Sequence, residues 1–162
     1  MKQSRTRLFT SLVKGIFRGR RKEQLAMETY LKCIPTIQKL VDTHKLGINL
    51  KERIVVLDIS VHLAFLPAGT SAYAYRQADK RYAAFFDKVV AYMNFKLGEL
   101  GKKDFIDPTK ETVSFVVTRK ETVMWENNEP VPSHLQVREK TVLVGAYRDG
   151  VVDYKEVVSS EL

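Results

Sequence analysis

The chain has 162 residues, 44% of them hydrophobic, with a single cysteine and a formal net charge of +8. That length and apolar content suit one domain with a core that needs no covalent staples, and the lone Cys33 excludes an intrachain disulfide and points to a reducing compartment. All of the net charge lies in the first 22 residues, which hold Lys2, Arg5, Arg7, Lys14, Arg18, Arg20, Arg21 and Lys22 and no acid, whereas basic and acidic residues balance in the remainder.

Charge of one sign confined to one short segment builds a local field that attracts polyanions. Within the same segment Leu8, Phe9, Leu12, Val13, Ile16 and Phe17 recur at helical spacing and cover about half of a helix, while Arg7, Lys14, Arg18 and Arg21 fall on the other half. Cations opposite bulky Leu, Ile and Phe are the composition of a helix that lies in a membrane interface. Lys14 and Arg18 interrupt a run that is already shorter than the roughly 20 apolar residues a spanning helix needs. Each cation near an anionic leaflet contributes about 1 kcal/mol, opposed by the cost of ordering a segment about 15 residues long that contains Gly15 and Gly19. The segment is therefore expected to be disordered until it meets a surface.

Other readings of these residues stay open. The apolar stripe can pack on the folded domain, leaving the cations as a solvated face. The run Arg18, Gly19, Arg20, Arg21, Lys22 suits phosphates or a nuclear signal, although nucleic acid leaves the Leu and Phe face unexplained. An acid-free, Arg-rich amphipathic start also has the look of a mitochondrial presequence. No secretory signal, myristoylation site or prenylation site is read, so lipid affinity is expected to come from the arm and from multiplicity.

Downstream, apolar residues from Leu25 to Val41 keep helical spacing, Pro35 is expected to break or kink the helix, and Gly47 to end it. Arg53 to Phe65 alternates, with Leu57, Ile59, Val61, Leu63 and Phe65 opposite Asp58, Ser60 and His62, which predicts a half-buried strand. A long helix is predicted from Ser71 to Leu97, stopped by Gly98 and Gly101, with aromatics on more than one side and so covered by the sheet and by something else. Strands are predicted at Val113 to Thr118, Thr122 to Trp125, Leu135 to Tyr147 and Val151 to Val158, with a tight turn at Asp149-Gly150. Glu126 to Ser133, rich in Asn and Pro, reads as a loop and the chain's mobile tip.

Asp58, Ser60 and His62 superficially resemble a nucleophile triad, but residues two apart on a strand stand about 7 Å from one another, too far for a hydrogen-bonded relay. His44 and His134 are isolated, so no zinc site is expected. No P-loop or GxGxxG occurs, and Gly98-Glu-Leu-Gly101, which has the outline of a KH-domain loop, reads as a helix stop. No catalytic residue and no cofactor are assigned.

The expected fold class is α+β: N-terminal helices, one strand, a long helix, then a largely antiparallel sheet of about five strands with helices on one face. Residues 1–22 form the arm and 23–162 one domain. In organisation alone, without any residue carried over, the chain is similar to matrix-type proteins of enveloped RNA viruses, which pair a basic N-terminal arm with a compact non-catalytic α+β domain. The expected function is that of a non-enzymatic, peripheral structural or assembly protein on the cytoplasmic face of a membrane. Its apolar face would be Leu8, Phe9, Leu12, Val13, Ile16 and Phe17, and its anion-binding residues Arg5, Arg7, Lys14, Arg18, Arg20, Arg21 and Lys22. The partners expected are an anionic bilayer and further copies of the chain, as a homo-oligomer. The alternatives are a nucleic-acid or nucleoprotein accessory role with the same cations, and a small-molecule or catalytic pocket formed on folding.

Overall fold

A computed structural model describes residues 32–66, 69 and 71–157. The described chain is α+β, and its first element is helix α1 (Ile34–Asp42). Pro35 stands in the first turn, where its missing N–H costs nothing, so the proline starts this helix and does not kink it. The helix ends before Gly47. His44 adopts a left-handed φ of 61°, with its N–H on the Val41 carbonyl (3.1 Å) and that of Lys45 on the Leu40 carbonyl (2.9 Å). Gly47 belongs instead to a strand that periodicity did not reveal, β1 (Leu46–Asn49), antiparallel to β2 (Ile54–Asp58).

The predicted strand over Arg53 to Phe65 is half right. It stops at Asp58, and α2 (Ile59–Leu63) follows. Asp58 decides this, because its carboxylate accepts the Ser60 N–H (2.9 Å) and so caps the turn. The alternation that continues to Phe65 coincides with a helical turn carrying Ile59, Val61 and His62 inward.

Helix α3 (Ala72–Glu99) matches the predicted long helix. Ser71 caps it through the Ala74 N–H (3.1 Å), and Gly101, at φ 73°, closes it with the Lys102 N–H on the Leu97 carbonyl (2.9 Å). Ala78, Tyr82, Phe86, Val89, Met93 and Leu97 face the sheet and are buried. The far side of the C-terminal half is covered as well. Tyr92 donates to Gln38 Oε1 on α1 (2.7 Å), and Asn94 holds both the N–H (2.7 Å) and the carbonyl (3.0 Å) of Ile106.

Strand β3 (Val113–Thr122) is continuous where two strands were predicted, and it pairs in parallel with β2 across the crossover through α2 and α3. Its antiparallel partner is β6 (Val137–Arg148), with a bulge at Val117/Thr118, and β7 (Val151–Glu156) returns along β6. Asp149 and Gly150 both take positive φ, as the tight hairpin turn requires. The predicted loop after Trp125 is itself a hairpin, β4 (Trp125–Glu126) with β5 (Glu129–Pro130), turned by Asn127 and Asn128 at positive φ and followed by a short 3₁₀ turn at Ser133–Leu135. The main sheet runs β1-β2-β3-β6-β7, antiparallel except at β2–β3. Val55, Leu57, Val113, Phe115, Val117, Leu143 and Tyr147 form one core with α1 and α3.

Gly145 is a packing requirement of this core. A Cβ there would stand 2.4 Å from the buried Phe115 ring and 2.7 Å from the Asp153 carbonyl, neither of which has room to retreat. Gly145→Ala is expected to cost about 1–3 kcal/mol by overpacking, measured by chemical denaturation. A variant as stable as the parent would contradict this packing.

Candidate functional site

The arm residues singled out from the sequence, from Arg5 to Lys22, all lie outside the described residues. What the structure offers is the domain that carries them, and three places on it bear on function.

The first is the Asp58, Ser60, His62 constellation. Folding does not assemble it. Asp58 turns back on Ser60, accepting both its N–H and its hydroxyl, and stands 3.5 Å from Lys45 Nζ. The Ser60 side-chain bond above all, then its backbone N–H, hold the Asp58 carboxyl below its ordinary pKa against a small opposing cost of burial, and Lys45 adds to the lowering. This is the chemistry of a helix cap. His62 was expected on a solvated face with Asp58, and it points the other way, only 6% exposed, with Nδ1 3.2 Å from the Tyr82 hydroxyl. Its ring also meets Tyr154 edge-on at 5.6 Å. The correction follows from α2: a helical turn separates i and i+4 neighbours onto faces that a strand would have merged. Burial pushes the His62 pKa down, partly offset by Glu156, and pushes the Tyr82 hydroxyl far above its usual range.

The second is a polar recess of about 240 Å³ lined by His44, Asp58, Thr118, Lys120 and Glu139 among others. Its groups already have partners: the Thr118 hydroxyl donates to Glu139 Oε1 (2.9 Å), and Asp58 serves Ser60 and Lys45. Two recesses of about 380 Å³ each flank α1 and are lined mainly by aliphatic and aromatic side chains, with lysines at their rims. Neither Asp58 nor His62 lines them. Among the described residues no group of three or more His, Cys, Asp and Glu is placed to hold a metal, and no helix is long and apolar enough to cross a membrane.

The third is an apolar tip. Beyond the last β2 partner at Thr118 and the last β7 partner at Leu143, β3 and β6 run on as a two-stranded ribbon. Met124, Trp125, Leu135 and Val137 are exposed at its end, Trp125 to 67%. The tip is fixed by the Val131 N–H on the Met124 carbonyl (2.8 Å), by Gln136 Nε2 on the Val131 carbonyl (2.9 Å) and by the Arg138–Glu126 ion pair. Sequence reasoning placed a tip here without seeing its apolar character. The available signal was Asn127-Asn128, a turn dipeptide directly after Met124 and Trp125.

No family model, curated protein or solved structure matches the chain.

Because the buried His62 resists protonation, the unfolded chain takes up that proton first as pH falls. Its contribution to stability is complete above a pH of about 6.5 and is lost below it. Denaturation measured from about pH 7.5 down to about pH 5 is expected to show a steeper loss for the parent than for His62→Gln, which keeps a hydrogen bond to Tyr82 but cannot titrate. Parallel curves would contradict the placement of His62.

Proposed function

We propose that the protein is a non-enzymatic, peripheral membrane-associated assembly protein that docks on anionic lipid through its first 22 residues and self-associates through its domain. The observation that carries this reading is the partition of charge: the whole net charge of +8 sits in a segment that also presents Leu8, Phe9, Leu12, Val13, Ile16 and Phe17 at helical spacing. Cations alone would serve any polyanion, but cations backed by bulky apolar groups match the layered chemistry of an anionic interface. Arg5, Arg7, Lys14, Arg18, Arg20, Arg21 and Lys22 meet headgroups while the apolar side chains enter the acyl boundary. One short arm binds weakly and reversibly, so several arms on one assembly are needed for firm attachment. On this reading the protein works at the cytoplasmic face of a membrane.

Nucleic acid is the second reading, favoured by the run from Arg18 to Lys22. For eight cations on a single strand it implies a log-log salt slope of about −5.6. The apolar face separates the two. Leu12→Glu with Ile16→Glu is expected to abolish cosedimentation with phosphatidylserine-containing vesicles while leaving the far-ultraviolet circular dichroism of the domain unchanged. Its effect on oligonucleotide binding is expected to be no more than that of two added negative charges. Vesicle binding that survives the double substitution would overturn the lipid reading.

A further inference from the structure

We infer that β7 is a homodimerisation edge, through which two copies of the chain join their sheets by antiparallel pairing of β7 with β7. This rests on the self-association in the function proposed above and gives it a place and a register.

The sheet has two outer strands, and they differ. β1 is four residues long. β7 has six, without proline or bulge, and among the described residues it pairs only with β6. Soluble proteins usually shorten, cover or bulge such an edge. The pairing pattern shows which backbone groups remain outward. The two-residue turn joins Arg148 to Val151, and the Val157 N–H bonds the Val142 carbonyl (3.0 Å), so Val151, Asp153, Lys155 and Val157 spend their N–H and C=O groups on β6. Val152, Tyr154 and Glu156 turn theirs toward the open edge.

Side-chain charge then selects one register. Asp153 and Lys155 are exposed on the sheet face opposite the helices, and neither forms an ion pair among the described residues. A twofold axis through Asp153 or through Lys155 would set like charges directly opposite, which is unfavourable. An axis through Tyr154 instead places Asp153 opposite the partner's Lys155 twice over, in the closer, non-hydrogen-bonded type of pair. It also satisfies every outward N–H and C=O of Val152, Tyr154 and Glu156. On the helix side the half-exposed Tyr154 ring, already packed on Tyr82 at 5.8 Å, meets the partner's Tyr154. The strand is thus complementary to itself in backbone and in charge, as a twofold interface must be.

The test is sedimentation of the full chain over a concentration series in lipid-free buffer, so that vesicle binding without pairing, or pairing without vesicle binding, separates this inference from lipid docking. The parent is expected to dimerise. Asp153→Lys and Lys155→Asp, each with unchanged circular dichroism, are expected to weaken dimerisation by about tenfold or more, and the double reversal to restore it. In the dimer, amide exchange at Val152, Tyr154 and Glu156 slows relative to the Asp153→Lys variant. A parent that stays monomeric throughout the series, single reversals that leave the dimer intact, or a double reversal that fails to recover it would each overturn the inference.

Discussion

The fold hangs on the seat of α3 against the sheet, and that seat is aromatic. Phe86 is fully buried, its ring nearly parallel to Tyr82 (5.7 Å, 5°) and to Tyr147 of β6 (5.5 Å, 15°) and tilted against Phe115 of β3 (4.7 Å). Such pairs contribute about 0.5–1.5 kcal/mol each beyond the burial of their area, and they fix the angle at which the helix lies. Other elements take their places from that helix. The parallel pairing of β2 with β3 needs it as the crossover, α1 is tied to it through Tyr92 and Gln38, and the segment leading into β3 is clamped by Asn94. His62 and α2 lean on Tyr82 of the same layer.

Elements whose local chemistry and tertiary role agree were legible in the sequence. Ser71 with a long periodic run and Gly101 gave α3 to within two residues, and Asp149-Gly150 gave the β6–β7 turn. Misreadings arose where one pattern suited two conformations. Leu57 to Phe65 alternates like a strand, yet Asp58 caps a helical turn in its midst, and that single side chain outweighs the period. Gly47 looked like a helix stop because His44, a residue with a side chain, was not expected to take the left-handed conformation that ends α1. Val113 to Trp125 was split by the charged stretch from Arg119 to Glu121, which lies on a ribbon with solvent on both faces and so tolerates charge.

Adjacency created only by folding was out of reach. Nothing near His62 in sequence announces Tyr82 or Tyr154, and nothing near Trp125 announces Leu135 and Val137 beside it. For the same reason the candidate triad dissolved, since its three members were neighbours in sequence alone. The arm differs in kind: its charge and apolar periodicity are properties of the sequence and need no tertiary context to be read. A neutral domain carrying a strongly basic amphipathic segment separates two tasks, with attraction to a surface assigned to the segment and multiplicity to the domain.

The central claim is that the apolar face of the first 22 residues enters lipid. Placing a single tryptophan on that face, Phe9→Trp in a Trp125→Phe background, lets brominated lipids report its depth directly. The account predicts a blue-shifted emission, quenched by bromine near the acyl boundary of phosphatidylserine vesicles and unshifted in vesicles of phosphatidylcholine alone. Emission that stays solvent-like and unquenched at saturating anionic lipid would contradict it.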